Sequence, residues 1–204
     1  MADAAAFLSR ETYSQIGGDV ALDAINTVSW RLNPERRIEH LVDYDDVVRW
    51  ASQVGLVDAA SAEELTRLAA ADPATAADEL ERVIDLREAL YAAAYGGAAS
   101  DLVVGEHADA TAAGRLDRDG ERWAWEFPVD LALPRRRLAL AAVSLLLRDD
   151  LDQLGQCSDA ECGWVFLDTS PRHNRRWCVA ADCGNRNRVR EYYARAQQRR
   201  AAAE

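Results

Sequence analysis

The sequence predicts a mainly α-helical protein. A helical N-terminal domain with one β-hairpin precedes a small module that is built around four cysteines and ends in a helix. Three observations lead to this fold class. Apolar residues recur at helical spacing through most of the first 154 residues. The dipeptide Asp119-Gly120 interrupts a short alternating segment, as hairpin turns do. All four cysteines of the 204 residues lie in the last quarter of the chain.

The first two helices are bounded by residues that start or stop helices. Asp19 can cap a helix over residues 20–30, and Asn33-Pro34 follows it as a stop signal. A second helix is predicted over residues 43–54, because Gly55 suits the position just after a helix.

Two further helices are predicted before residue 98. The pattern Ser61-Ala-Glu-Glu64 is that of a capping box and predicts a helix from there to about residue 71. Asp72-Pro73 predicts the start of a longer helix over residues 74–95, since proline suits the first helical position. The pattern of residues 98–110 leaves their structure open.

The rest of the N-terminal domain is predicted to be a hairpin and one more helix. The hairpin covers residues 112–127 and places Trp123, Trp125 and Phe127 on one face. The helix begins at Pro134 and ends near Leu154-Gly155. The predicted boundary at Gly155 divides the chain into a domain of residues 1–154 and a module of residues 155–204.

The composition is that of a globular protein, with 49% hydrophobic and 29% charged residues. No apolar run approaches the roughly 20 residues that a membrane span requires, so we expect no membrane partner. The first seven residues lack the basic and apolar regions of a signal peptide. We therefore expect a cytoplasmic location, where thiols stay reduced and paired cysteines favour metal over disulfides.

The four cysteines are spaced Cys157-x4-Cys162-x15-Cys178-x4-Cys183. Two short pairs separated by an insert predict a tetrahedral site for one Zn²⁺, in which each pair forms one knuckle. Two disulfides or an iron–sulfur cluster are alternatives that the spacing leaves open. Because four sulfurs would fill the coordination shell of zinc, the ion is expected to be structural rather than catalytic.

The residues around the cysteines predict a treble-clef-like or ribbon-like finger. Residues 163–168 are apolar enough for a strand, and residues 185–200 contain no helix breaker. Cys183 would then lie at the start of the final helix, where Gly184 permits a tight turn. Asn185 could cap that helix or donate a hydrogen bond to a thiolate.

The net charge of −11 is unevenly distributed. Residues 1–156 contain 15 Arg and 29 Asp or Glu, whereas residues 157–204 contain 9 Arg and 6 Asp or Glu. One interpretation is a final helix docked by Tyr192 and Tyr193, with a solvated rim of arginines. The other is contact with the phosphates of double-stranded DNA. The candidate contact residues are Arg172, Arg175, Arg176, Asn185, Arg186, Arg188 and Arg190.

Two stretches of the sequence resemble a known family. The finger, with Cys-x4-Cys-Gly-Trp-Val-Phe-Leu-Asp-Thr-Ser and Arg-Arg-Trp-Cys-x4-Cys-Gly-Asn-Arg, closely resembles the CGNR zinc finger. The segments from Leu22 to Val28 and from Tyr44 to Trp50 resemble the ABATE-type domain, whose family is that of putative stress-induced transcription regulators. The resemblance implies zinc at the four cysteines and DNA binding through the finger. The segment from Asn187 to Tyr193 departs from it, being less basic than the Lys/Arg-rich run that often follows the motif.

No catalytic constellation is recognisable, so we expect that the protein is not an enzyme. Asp23 and Asn26 lie at i and i+3 of one helix and could face a pocket for a small-molecule effector, although such residues more often bond to neighbouring backbone. The leading hypothesis is a zinc-dependent DNA-binding transcription regulator of the stress response, whose N-terminal domain senses an effector or forms a homodimer. The alternative is a protein-interaction module in which zinc only builds a docking surface and no DNA is bound.

Overall fold

The computed structural model describes residues 12–97 and 100–201. The part of the chain that it describes is mainly helical, as predicted. The helices are α1 (Val20–Ile25), α2 (Tyr44–Gln53), α3 (Ala59–Ala71), α4 (Pro73–Gly96), α5 (Asp101–Ala113), α6 (Leu133–Leu146) and α7 (Asn185–Ala201). The strands form three antiparallel pairs: β1 (Val28–Ser29) with β2 (Ile38–Glu39), β3 (Arg115–Asp119) with β4 (Arg122–Glu126), and β5 (Leu154–Gln156) with β6 (Val165–Leu167).

Helix α1 begins where the sequence predicts but ends five residues early. Asp19 accepts a hydrogen bond from the amide of Ala21, which confirms the predicted cap. The helix stops at Ile25, and the following residues enter β1 instead. The side chain of Asn26 is bonded to the distant residue Val165, and the hydroxyl of Thr27 donates to the carbonyl of Ala24. A tertiary contact therefore ends this helix.

Helices α2, α3 and α4 each begin at an aspartate. Asp43 forms a capping box with Asp46, and Asp72 accepts a hydrogen bond from the amide of Thr75. The predicted start of α3 at Ser61 is wrong, because Asp58 caps the helix and accepts a hydrogen bond from the Ser61 amide. Each of these helices thus has a local start signal in the sequence.

Helix α5 occupies most of the segment whose structure the sequence left open. It begins after Ser100, whose hydroxyl accepts a hydrogen bond from the amide of Val103. It packs beside α6, and a buried ion cluster joins the two helices to α4. Arg135 of α6 is 1% exposed and pairs with Glu79 of α4 and Glu106 of α5.

The predicted hairpin is present as β3 and β4, joined by a two-residue turn with Gly120 at φ +62°. Trp125 stacks on Phe127 with ring centroids 6.2 Å apart. Both rings approach Gly114, where a Cβ atom would lie 2.6 Å from the Phe127 ring. Trp123 is exposed nearer the turn. The base of the hairpin is thus anchored by aromatic packing.

Helix α6 ends at Leu146, well before the predicted end near Leu154-Gly155. The carboxylates that follow it are unfavourable at the negative end of a helix, and Asp150 pairs instead with Arg148 at 2.7 Å. Gly155 lies inside β5, where a Cβ atom would come within 2.6 Å of the Phe166 ring. The division of the chain at residue 155 stays a prediction.

Strand β6 joins two buried clusters. Val165 and Leu167 pack into the core of the N-terminal helices, whereas Phe166 packs among the four cysteines. This alternation follows from the two-residue period of a strand. Within the described ranges, no helix is long and apolar enough to span a membrane.

Candidate metal centre

The four cysteines converge on one point of the structure. The Sγ atoms of Cys157, Cys162, Cys178 and Cys183 all lie within 4.8 Å of one another, and each residue is at most 6% exposed. The distance from Cys162 Sγ to Cys178 Sγ is 3.7 Å, and that from Cys178 Sγ to Cys183 Sγ is 3.4 Å. A tetrahedral zinc with Zn–S bonds of about 2.3 Å has sulfurs separated by about 3.8 Å. The sulfurs therefore fit zinc.

All four cysteines are free thiols, which excludes two disulfides as the arrangement in this structure. Hydrogen bonds among the sulfurs lower the pKa of the Cys157 thiol, and the same hydrogen bonds together with burial raise the pKa of the Cys178 and Cys183 thiols. The four sulfurs can therefore all be ionised in this buried cluster only when a cation balances their charge. The four cysteines form a zinc-binding site for one structural Zn²⁺.

Each knuckle is shaped by backbone hydrogen bonds. The amide of Cys157 donates to the carbonyl of Trp164 at 2.8 Å, and the amide of Cys162 donates to that of Asp159 at 3.1 Å. The second knuckle is a π-helical turn over Ala180–Gly184 that continues directly into α7. A Cβ atom at Gly184 would lie 3.0 Å from the Trp177 ring, so any larger residue would have to push this ring away by a few tenths of an ångström.

A buried carboxylate in the first knuckle binds α7. Asp159 is 0% exposed, and its side chain accepts hydrogen bonds from Arg186 at 3.3 Å, Asn187 at 2.9 Å and Arg190 at 3.4 Å. Arg186 also donates to Cys183 Sγ at 2.9 Å. This arginine thus joins a zinc ligand to the opposite knuckle, which orients the ligand and offsets negative charge.

Asp159 and Asn187 were not predicted from the sequence as part of the site. The sequence signal for this contact was a carboxylate between the cysteines of the first knuckle, together with an arginine-rich start of the final helix. The contact between them depends on the closing of the metal site, which sequence spacing does not describe.

Two of the predicted DNA-contact residues bond mainly to the protein itself. Arg175 donates to the carbonyls of Cys178 at 2.7 Å and Ile16 at 3.2 Å, and its guanidinium lies 4.0 Å from the centroid of the Phe166 ring. Arg186 is held by Asp159, as described above, and by Asp182 at 2.7 Å. These two arginines are positioned by the finger and are only partly exposed.

The other predicted contact residues are exposed. Arg190 bonds to Asp159 and to Glu161, whose carboxylate lies 2.9 Å away. Among the described residues, no hydrogen bond or ion pair involves the remaining exposed guanidinium groups, those of Arg172, Arg176 and Arg188. Asn185, also exposed, begins α7. The protein thus holds Arg175, Arg186 and Arg190 by hydrogen bonds, whereas Arg172, Arg176, Asn185 and Arg188 face solvent. The guanidinium of Arg176 lies 5.2 Å from the centroid of the Trp177 ring.

The finger is fastened to the N-terminal helices by buried hydrogen bonds. The side-chain amide of Asn26 donates to the carbonyl of Val165 at 2.9 Å, and its oxygen accepts from the Val165 amide at 2.8 Å. The indole of Trp164 donates to the carbonyl of Val28 at 2.9 Å. The amide of Arg31 donates to the carbonyl of the zinc ligand Cys162 at 3.0 Å.

Trp30 forms a second junction between the two parts. The guanidinium groups of Arg36 and Arg186 lie 3.5 and 4.4 Å from the centroid of its indole ring. Trp30 adopts φ +54°, a conformation that few large residues tolerate without tertiary support. This contact was not predicted from the sequence, because Trp30 was expected to lie at the end of a helix over residues 20–30.

The side chains of Asp23 and Asn26 are occupied by the protein's own backbone. Asp23 accepts a hydrogen bond from the Gly17 amide at 2.8 Å, and Asn26 pairs with Val165. Both are buried. The alternative reading of the sequence, bonding to backbone, describes these contacts, and the proposed effector pocket gains no support from them.

Burial of the Asp23 carboxyl makes the free energy of unfolding depend on pH. Desolvation raises the pKa of this carboxyl to about 6, whereas an unfolded aspartate has a pKa of about 3.9. The folded state therefore binds more protons in this window, and the free energy of unfolding falls as the pH rises from about 4 to about 6. Between these pH values the titration of Asp23 lowers the free energy of unfolding by about 2 kcal/mol. We expect the Asp23→Asn variant, which has no carboxyl to titrate, to lack this part of the pH dependence.

Urea unfolding at several pH values measures this contribution. The exposed Asp152→Asn substitution serves as the control and should leave the fall unchanged. An Asp23→Asn variant with the pH dependence of the unsubstituted protein would show that the buried carboxyl does not titrate in this window.

Two family models match the chain. Residues 18–149 match ABATE, described as a putative stress-induced transcription regulator. Residues 153–196 match the CGNR zinc finger and include all four cysteines. No curated protein matches the chain significantly. The two matches confirm that the chain resembles the CGNR zinc finger and the ABATE-type domain.

Proposed function

The chain belongs to the ABATE family and carries a CGNR zinc finger, and we propose that this finger binds double-stranded DNA to regulate transcription. The observation that carries the proposal is the group of exposed arginines on a zinc-stabilised scaffold. Arg172, Arg176 and Arg188 project from the finger without a carboxylate partner among the described residues. Guanidinium groups of this kind contact phosphate oxygens.

The charge distribution supports the same partner. The acidic N-terminal region repels a polyanion, whereas the finger region carries an excess of arginine. A duplex would therefore approach from the finger end. Regulation under stress, action in the cytoplasm, a small-molecule effector and a homodimer belong to this proposal as further expectations.

Zinc has a structural role in the proposal. Four sulfurs complete a tetrahedral shell and leave no position for water or substrate. We therefore assign no reaction to the metal and propose that the protein is not an enzyme. The ion holds the loop that carries Arg172 and Arg176 against the start of α7.

The salt dependence of DNA binding tests the proposal. Zinc-loaded protein is titrated into a labelled mixed-sequence duplex while fluorescence anisotropy is recorded, at salt concentrations from about 50 to about 200 mM. We expect the affinity to fall steeply, because each neutralised phosphate contributes about −0.9 to the slope of log K against log salt. Arg172→Gln with Arg176→Gln should reduce that slope.

Arg175 is unsuitable as a contact probe, because its side chain holds the backbone of Cys178. Binding whose affinity does not change with salt concentration would contradict phosphate contact. The absence of binding at the lowest salt concentration would contradict DNA binding altogether. The second outcome would favour the protein-interaction hypothesis, in which the zinc site only builds a docking surface.

A further inference from the structure

We propose that the main phosphate-contact surface of the finger is one face of α7, the outer row, formed by Arg188, Tyr192, Arg195 and Arg199. This inference rests on the proposed DNA binding and specifies where the duplex is held. It extends the contact surface about two helical turns beyond Arg190, the last contact residue predicted from the sequence.

The contacts of α7 with the first knuckle determine which face points outward. Arg186, Asn187 and Arg190 all bond to the buried carboxylate of Asp159, so their side of the helix faces the finger. At about 100° per residue, the members of the outer row lie within about 60° of one another and on the opposite side. Asp159 therefore fixes the rotation of α7 about its axis.

The outer row is nearly free of competing carboxylates. Among the described residues, no hydrogen bond or ion pair involves the guanidinium groups of Arg188 and Arg199. Arg195 lies 3.9 Å from Glu191, and both side chains are more than 60% exposed. A pair this open and this long contributes little. The three guanidinium groups are available to an incoming anion.

Within the described residues, α7 is largely uncovered. None of its residues is buried, and it packs mainly against the π-helical turn that precedes it. Tyr192 is 66% exposed and Tyr193 is 62% exposed, so the interpretation that these tyrosines dock the helix is wrong. A helix of about 10–12 Å diameter whose outer face is uncovered fits the major groove, which is about 12 Å wide.

Charge and spacing select a duplex as the occupant. From Arg188 to Arg199 the row extends about 16 Å along the helix axis, so its three arginines can reach separate phosphates. The hydroxyl of Tyr192 lies between them as a further donor to phosphate oxygen. The acidic N-terminal helices disfavour any other approach of a polyanion.

The test compares a variant that lacks the three positive charges of the outer row with a control variant that lacks three positive charges elsewhere. The row variant is Arg188→Gln, Arg195→Gln and Arg199→Gln, and the control is Arg67→Gln, Arg115→Gln and Arg122→Gln, all exposed positions of the N-terminal region. Against the same mixed-sequence duplex, we expect the row variant to lower the slope of log K against log salt by about 2.7. The control should leave the slope unchanged.

The outcomes separate this inference from the proposed function. If the unsubstituted protein binds DNA and the row variant keeps its slope, or the control loses as much, then the outer row is not the contact surface although DNA binding stands. If the double variant Arg172→Gln with Arg176→Gln abolishes the salt dependence of binding, the outer row is again not the contact surface. If the unsubstituted protein does not bind, both ideas fail. Zinc content and far-ultraviolet circular dichroism verify that each variant is folded.

Discussion

Replacing Cys178 with serine is expected to lower the zinc affinity by several orders of magnitude and to unfold the finger. Cys178 Sγ lies 3.4 Å from Cys183 Sγ and 3.7 Å from Cys162 Sγ. Serine replaces the thiolate ligand with a hydroxyl group that stays protonated at neutral pH. Structural zinc sites in finger peptides contribute about 10–16 kcal/mol of apparent binding free energy, which is folding free energy.

The measurement is competition for zinc with a chromophoric chelator, combined with thermal unfolding. Ser158→Ala is the matched control, because this exposed neighbour of Cys157 is not a ligand. The loss should also lower the melting temperature of the N-terminal helices, since Val165 and Leu167 belong to their core while Phe166 packs among the cysteines. Unchanged zinc affinity in the Cys178→Ser variant would refute the four-sulfur site.

Replacing Arg135 with methionine is expected to cost about 3–5 kcal/mol of unfolding free energy. The guanidinium is 1% exposed, and it is paired with Glu79 at 2.7 Å and also with Glu106. Without it, two carboxylates remain buried between α4, α5 and α6 with too little positive charge nearby. Arg82, which also contacts both, is 44% exposed and compensates weakly.

Chemical denaturation measures this cost. Arg67→Met is the control, because Arg67 pairs with Glu64 on the surface and should contribute less than about 1 kcal/mol. Adding Glu79→Gln and Glu106→Gln to Arg135→Met should recover part of the loss, since neutral amides do not require a cation. A cost below that of the control would show that the cluster does not stabilise the packing of these helices.

Features with local signals were predictable from the sequence. The ligands of the metal site follow from cysteine spacing, and the starts of α1 and α4 follow from Asp19 and Asp72. A side chain that accepts a hydrogen bond from an amide two or three residues away needs no tertiary structure.

Features that depend on distant contacts were not predictable. Helix α1 ends early because Asn26 pairs with Val165, which is 139 residues away in the chain. The division of the arginines is similar. Their spacing suggests one basic surface, but the buried carboxylate of Asp159 holds Arg186 and Arg190 and turns Arg188 outward.

Whether zinc positions the arginines of the finger for DNA can be measured by titrating one mixed-sequence duplex with zinc-loaded and with chelator-treated protein. We predict saturable binding by the zinc-loaded protein that weakens steeply between about 50 and about 200 mM salt, and a large loss of affinity once zinc is removed. Equal affinity with and without zinc, or no binding by the zinc-loaded protein, would contradict this prediction.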